Sequence, residues 1–379
     1  MALRVGIDAT AIPSLRAGAG NYIFNLVQAL AKVDRDNHYV IFAKPQHIAE
    51  FSISQPNFRL AAINGVKRRF SRLLWEQFML PRLVQGYQLD VLHSPHYTMP
   101  IFNLACSVVT FHDMTFFLYP EMHGTLKRVF FRQMIRVSSK RADKIIAVSE
   151  STRKDILNLL NVTARKVHTV PEAASGDYRL IHNRDKVNRV CTKYGLQTGR
   201  FFLYVGTLEP RKNVPTLLRA YSCLVSRGIH DPLVIVGKKG WMFGDIFATV
   251  KTLKLEDKVV FTGYVPDEDL PYLYNGARLF VYPSLYEGFG LPVLEAMACG
   301  TPVITSNVSS MPEVVGDAGL LIDPRDHTQL AQAIELIITN DDLSKLLRER
   351  GLQRAAQFSW ERTARETLKV YTQGCKDNG

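Results

Sequence analysis

Cysteine is scarce and unpatterned in this sequence. The five cysteines, Cys106, Cys191, Cys223, Cys299 and Cys375, form no CxxC pair. Neither a disulfide framework nor a thiolate metal site is indicated, and reduced thiols fit a cytoplasmic protein. Long apolar runs are missing too: none approaches the ~20 residues that a membrane-spanning helix needs. The start, Met1 to Asp8, lacks the separate basic and apolar regions of a signal peptide and reads as a first strand. Low-complexity segments and short repeats are absent. With 46% hydrophobic and 22% charged residues, the composition excludes wholesale disorder.

Acidic residues are few in the first half. The 379 residues include 47 Lys+Arg against 35 Asp+Glu, a formal charge of +12. Residues 1–196 hold 27 basic and 14 acidic side chains, or +13, while residues 197–379 hold 20 and 21, or −1. Such an excess favours nucleic acid, an anionic membrane or an acidic ligand. Split this way, any basic partner surface belongs to the first half.

Short apolar strands alternate with helical spacing in both halves. Leu3–Asp8, Tyr39–Ala43, Val91–His93, Ser107–Phe111 and Lys144–Val148 read as strands, as do Phe201–Val205, Leu233–Val236, Val259–Thr262, Leu279–Tyr282 and Val303–Thr305. Strands apolar along their whole length are buried on both faces, so each half is expected to be α/β, a doubly wound parallel sheet with helices on both faces. The polar, irregular stretch from Pro171 to Arg200 places a boundary there. The expected domains are 1–185, 186–358 and a last helical segment, 359–379. In such sheets ligands sit beyond the carboxyl ends of the strands, so chemistry is sought just after each strand.

Four constellations meet that condition. After Leu279–Tyr282 comes Glu287-Gly288-Phe289-Gly290-Leu291-Pro292, then Glu295. Free amides at a helix start, with glycines that admit close approach, make an anion site. The two glutamates beside it can accept polyol hydroxyls, so the motif suits a nucleotide-sugar as well as a plain strand–turn–helix with solvated glutamates. After Phe201–Val205 comes Gly206 and then Arg211-Lys212-Asn213. Two adjacent cations there can neutralise a diphosphate or belong to an ordinary basic loop. The loop Arg16-Ala17-Gly18-Ala19-Gly20-Asn21 lacks the third glycine of a dinucleotide fingerprint and can face a phosphate or a sugar. His112-Asp113, at a strand end, can contact a sugar and stabilise developing positive charge, or be structural. His93, His96 and His112 match no zinc spacing, so no metal is assigned. Asp34-Arg35-Asp36 and Asp267-Glu268-Asp269 end and start helices, and both read as structural.

Taken in order along the chain, these residues resemble retaining glycosyltransferases of family 4. Glu287 and Glu295 look like that family's E-x7-E motif, and Gly206 with Arg211-Lys212-Asn213 looks like its phosphate-binding loop. Gly18 and Gly20, His112-Asp113, and Phe261-Thr262-Gly263-Tyr264-Val265 match by position. The resemblance implies a GT-B fold, two Rossmann-like domains facing a cleft, with a last helix crossing back to the first domain. It implies that Arg211 and Lys212 hold the donor diphosphate, Glu295 the ribose, and Tyr264 and Val265 the base. Glu287 with Gly288, Phe289, Gly290 and Leu291 would hold the transferred sugar and phosphate, and His112 would lie near the anomeric carbon. Transfer would retain configuration, without metal or cofactor, the leaving diphosphate accepting the acceptor's proton. The opening Val5-Gly6-Ile7-Asp8 with Tyr22 looks most like mannosyltransferase members and points to GDP-mannose.

The acceptor side of this family is usually the first domain, where the charge lies. Arg128, Arg132, Arg136 and Lys140 recur four residues apart, and Lys67 to Trp75 mixes cations with aromatics. The expectation is a saccharide or lipid-linked saccharide acceptor and a cytoplasmic enzyme, peripheral on the membrane through a basic helix. Two other readings compete. A nucleic-acid-binding protein would use the charge but leave the strand-end motifs idle. A sugar-nucleotide epimerase of GT-B shape would turn over donor without acceptor.

Overall fold

The computed structural model describes residues 2–13, 18–66 and 68–376. Among these, thirteen strands form two sheets. The first uses β1 (Arg4–Asp8), β2 (His38–Ala43), β3 (Phe58–Ala62), β4 (Val91–Ser94), β5 (Cys106–Phe111), β6 (Lys144–Ala147) and β7 (Val167–Thr169), in the order β3-β2-β1-β4-β5-β6-β7. The second uses β8 (Phe202–Val205), β9 (Leu233–Val236), β10 (Val259–Gly263), β11 (Leu279–Tyr282), β12 (Val303–Ser306) and β13 (Leu320–Ile322), in the order β10-β9-β8-β11-β12-β13. All the pairings are parallel. Strand order reverses between β1 and β4, and again between β8 and β11. Each reversal opens a crevice beyond the carboxyl ends of those strands.

Burial on both faces explains the apolar strands. β4, β5, β6, β8, β9, β11 and β12 are buried along their whole length. The strands β3, β7 and β13 lie at sheet edges and are partly exposed. β3 and β7 are interrupted by Arg59 and His168, and β13 is only three residues long, which is why the sequence pattern passes over them.

The chain divides into two compact units, one up to Glu172 together with the residues from Ser359, the other Ala173–Phe358. The division falls after Glu172, earlier than the expected 185/186 boundary. Asn275 accounts for it: its side chain donates to the carbonyls of Arg179 and Pro271 and accepts from the Ile181 amide, which ties that strip to the second unit. The same stretch is not irregular throughout. A helix, Arg184–Lys193, starts where the Asn183 side chain accepts from Lys186 N at 3.0 Å. It buries only Val187 and Cys191, too thin a stripe to show periodicity.

The last helix, Trp360–Lys376, belongs to the first unit. Trp360 meets the Tyr22 ring at 5.9 Å, Thr363 donates to Pro171 O at 2.7 Å, and Tyr371 OH bonds His93 Nδ1 at 2.7 Å. No helix among the described residues is long and apolar enough to cross a membrane.

Candidate active site

In the second unit, the loops after β8 and β11 flank the strand-order reversal, and their charged side chains meet. The β8 loop ends in a short helical turn, Pro210–Lys212, and Asn213 at φ 57°. That left-handed residue is fixed by its own side chain, which donates to Pro283 O at 2.9 Å and Pro324 O at 2.6 Å. The turn delivers Arg211 and Lys212 onto Glu287. Glu287 Oε1 accepts from Lys212 Nζ at 2.7 Å, Ser284 Oγ at 2.6 Å and Tyr282 OH at 3.0 Å; Oε2 accepts from Arg211 Nη1 at 2.7 Å. Arg211 also donates to Glu209 Oε1 at 2.8 Å and Tyr286 O at 2.7 Å. Two cations and two carboxylates thus balance. Burial pushes the Glu287 pKa up, but Arg211 and Lys212 outweigh it and bring it down to about 2. Burial and the neighbouring Arg211 lower that of Lys212.

Backbone geometry holds this cluster against the glycine loop. Glu287 N donates to Ser309 Oγ at 3.0 Å, and Ser310 Oγ donates to Glu287 O at 3.0 Å and Phe289 O at 2.7 Å. Gly290 sits at φ 111°, and a Cβ there would lie 2.2 Å from Met311 Cε, so only glycine fits. It caps the helix Leu291–Ala298, whose start presents backbone amides and a positive dipole end. At Gly206 a Cβ would meet Tyr204 OH at 2.9 Å.

The other donor-side candidates lie apart from the Glu287 cluster. Glu295 accepts from Tyr274 OH at 3.0 Å, and burial pushes its pKa up to about 7. Tyr264 is 53% exposed and can offer a ring face, whereas the Val265 side chain is buried. Phe289 is buried and packs its ring on Phe358 at 5.8 Å.

In the first unit, His112 takes a different part from the one expected. Its Nδ1 faces Glu172 Oε1 at 3.2 Å and its Nε2 faces Pro95 O at 2.9 Å. Both partners can accept, an arrangement that favours the doubly protonated ring. Burial lowers its pKa, but Glu172 and the carbonyl prevail and raise it. A cation does not stabilise developing positive charge; it favours negative charge. Asp113 Oδ1 accepts from Thr115 N at 3.0 Å and Thr115 Oγ1 at 2.7 Å, which makes it a turn residue. His93 is locked between Tyr371 OH and Thr110 Oγ1, and burial lowers its pKa to about 3. Gly18, at φ 50°, caps the helix Ala19–Val33, and a Cβ on Gly20 would lie 2.8 Å from Pro13 Cδ. Arg16, Ala17 and Lys67 lie outside the described residues.

The basic stripe is also rearranged. On the helix Thr125–Arg141, the Arg132 and Arg136 guanidinium groups stand over the Phe117 ring at 5.1 and 5.3 Å. Arg128 is half-buried beside Pro120 O, so three of the four cations of the expected stripe are drawn onto the protein. Sequence reasoning also missed Glu172, Glu209, Tyr274 and Tyr282. It missed a buried ion cluster at the reversal in the first sheet as well. There Arg72 pairs with Asp8 at 3.3 Å and Glu76 at 3.0 Å. Only Asp8, placed at a strand end, carried a positional signal.

Residues 192–354 match the family model for glycosyl transferases group 1, and residues 16–174 that for glycosyltransferase family 4. The chain is 37% identical over 365 residues to O-antigen chain mannosyltransferase B of Escherichia coli, covering 93% of this chain and 95% of that one. Among solved structures it is similar to sucrose-phosphate synthase from Thermosynechococcus elongatus, with TM-score 0.77 and 22% identity over 98% of both chains. It is also similar to Anabaena HepE in complex with UDP-glucose, with TM-score 0.75 and 17% identity over 98% of this chain and 100% of that one. With two parallel-sheet domains of the GT-B class and these sequence relatives, the chain belongs to the family 4 glycosyltransferases.

Proposed function

We propose that the protein is a mannosyltransferase. It moves mannose from a nucleotide-diphosphate sugar, GDP-mannose by preference, to a saccharide or lipid-linked saccharide during assembly of a surface polysaccharide. The similarity to the Escherichia coli O-antigen chain mannosyltransferase supports the sugar and the pathway. The UDP-glucose held by HepE supports a nucleotide-sugar donor. The observation that carries the reading is the convergence of Arg211 and Lys212 on one buried carboxylate beside the helix start at Leu291.

In this reading the cluster is organised before the donor arrives. Glu209 and Glu287 hold the two cations in fixed positions and balance their charge, so that no side chain has to reorganise around the phosphates. Lys212 spends two of its three ammonium protons on Tyr282 and Glu287 and keeps one for a phosphate oxygen. The amides at the start of the helix Leu291–Ala298 add a second set of donors. As the bond from the anomeric carbon to the phosphate oxygen breaks, charge grows on the leaving diphosphate, where these donors favour it. The acceptor oxygen bonds to the same face and its proton passes to the leaving phosphate. Configuration is retained and no metal takes part. Glu287 is a poor nucleophile here: four donors share its carboxylate. It orients the sugar instead. Glu295 holds the ribose and Tyr264 stacks on the base.

The first unit supplies the acceptor side, and His112 lies near the transferred sugar. The membrane, through its basic surface, is where a lipid-linked acceptor would be met. A thermal-shift screen over GDP-, UDP-, ADP- and dTDP-sugars tests the donor, since only the binding nucleotide stabilises. Transfer from GDP-mannose with and without EDTA, followed by NMR of the product anomer, tests the rest. An inverted product, or loss of activity in EDTA, overturns the corresponding step. Donor turnover without acceptor would favour the epimerase reading.

A further inference from the structure

Large apolar side chains stand in water along one edge of the first unit. A continuous helical stretch runs through Arg69–Leu74, a π-helical turn Trp75–Met79 and Leu80–Gly86. Its inner side buries Trp75, Glu76, Leu80 and Val84. Its outer side exposes Phe70 (72%), Leu74 and Phe78 (62%), spaced four residues apart, with Met79 beside them. Next to it a loop exposes Phe102 (77%) and Leu104 (87%). Gln77 fixes that loop to the helix, donating to Met99 O and accepting from Ile101 N, both at 3.0 Å.

The charge around these side chains is mostly basic, with Asp143 the half-buried exception behind the loop, tied to it through Ser107 and Asn103. Between Arg59 and Asp90 the only acid in the sequence is Glu76, and it is buried facing inward. The neighbouring helix Thr125–Arg141 contains no acid at all. Arg82 lies against the patch, donating to Phe78 O at 2.7 Å, and the Arg141 guanidinium stands 6.0 Å from the Phe102 ring. Arg68 and Lys140 are exposed. Apolar side chains that project from a predominantly basic rim suit an anionic lipid surface, where rings enter the headgroup boundary and cations meet phosphates. A second copy of the chain would instead bring two like-charged rims together.

We propose that the helix 69–86 and the loop 101–104 form an interfacial anchor that seats the first unit on an anionic membrane, with Arg141 and Lys140 at its rim. The anchor is not the middle of the helix Thr125–Arg141, whose arginines are spent on Phe117. This rests on the reading of a lipid-linked acceptor, and names the surface that meets the lipid.

Flotation of the full-length protein with phosphatidylcholine vesicles, with and without phosphatidylglycerol, tests it. Wild type is expected to float with the anionic vesicles at low salt. The variant Phe70→Ser/Phe78→Ser/Phe102→Ser should partition on the order of 100-fold more weakly, because it removes three exposed rings. Single reporters Phe78→Trp and Phe102→Trp should shift to the blue on anionic vesicles, and Leu336→Trp on the second unit should not. Equal flotation of variant and wild type overturns the proposal, and so does an unshifted reporter at 78 and 102. A wild-type dimer in lipid-free sedimentation, dissolved by the triple variant and indifferent to vesicles, overturns it in favour of a second copy. Transfer to a water-soluble acceptor is read separately and is expected unchanged in the variant. A wild type that floats but does not transfer leaves the anchor standing and counts against the enzymatic reading.

Discussion

The two units share an architecture and use charge in opposite ways. Divided where the contacts divide it, the first unit holds 26 basic and 15 acidic side chains, or +11, and the second 21 and 20, or +1. The near-neutral unit places its ions at the strand-order reversal, in contact and buried: Arg211, Lys212, Glu209 and Glu287. The basic unit has its own buried ions, Asp8, Arg72 and Glu76, but its surplus is on the surface, next to exposed phenylalanines. Net charge is therefore a poor guide to where chemistry lies. In the proposed reading, balanced charge prepares a site for a doubly charged ligand, and unbalanced charge on the outside addresses a surface.

If the second unit's ions are the chemistry, removing them has the largest effect. Lys212→Ala is expected to lower transfer by about 10²–10³-fold, the loss seen when one donor to a developing negative charge is deleted. Glu287→Gln leaves two buried cations short of a partner and should cost about 3–5 kcal/mol. The pH signature is specific. The folded pKa of Glu287 is depressed to about 2, so its stabilisation is present above the ordinary carboxylate value of 4.5 and is lost as pH falls towards 2. Thermal melts of wild type should fall across that window, with a shallower fall in Glu287→Gln. Near-normal turnover in Lys212→Ala would show that the balanced cluster is structural and would dissolve the contrast with the first unit.

How much of this was legible beforehand depends on how local each signal is. Arg211 and Lys212 follow a buried strand at once, and Glu287 and Glu295 flank a glycine turn, so spacing alone picks them out. Their meeting through one carboxylate is not local, because it needs β8 and β11 to be neighbours across two intervening strands. Glu172 had no motif at all. It follows the edge strand β7, and only the fold brings it to His112. The basic stripe on the helix Thr125–Arg141 was legible as spacing but not as exposure, since Phe117 is on another segment. Phe70 falls in the stretch from Lys67 to Trp75 that mixes cations with aromatics, but its exposure, and that of Phe78, needed the fold.

His112 sharpens the comparison from the first unit's side. His112→Gln should reduce transfer by about 10-fold or more if its charge serves the departing group. Its folded pKa is raised, so the stability it brings is fully present below the unfolded value of 6.5 and is lost as pH rises through the folded value. Wild type should lose stability as pH rises above 6.5, and His112→Gln should not. Glu172→Gln should reproduce the flattened profile, because Glu172 is the group that holds the proton in place. A wild-type melting profile flat above neutrality would mean that the ring is uncharged in the folded state.

Glu295 separates donor binding from the ion cluster within the second unit. Burial puts its pKa at about 7, so it ionises where donor affinity is measured. The donor KM should fall by a few-fold as pH rises through about 7, as the carboxylate becomes a stronger hydroxyl acceptor. Glu295→Gln should flatten that dependence and leave kcat nearly unchanged. In the ligand-free protein the sign is reversed. A raised acid pKa contributes stability below the unfolded value of 4.5 that is lost as pH rises through about 7. A KM that ignores pH in wild type would remove Glu295 from the ribose site.

The smallest expected effect asks whether the last helix is only a strap. Tyr371 OH bonds His93 Nδ1 at 2.7 Å, and His93 Nε2 bonds Thr110 Oγ1 at 2.8 Å, which links that helix to β4 and β5. Burial drives the His93 pKa down to about 3, so the ring is neutral at any ordinary pH and no charge is at stake. Tyr371→Phe keeps the ring and removes one neutral hydrogen bond, which should cost about 1 kcal/mol. The loss should be the same at pH 7 and pH 9, unlike that of His112→Gln, and the donor KM should not move, because the second unit is untouched. A shift in donor KM would mean that this helix does more than complete the first unit. A loss that grows with pH would mean that the Tyr371 and His112 networks titrate together, and that the first unit too is organised around a buried charge.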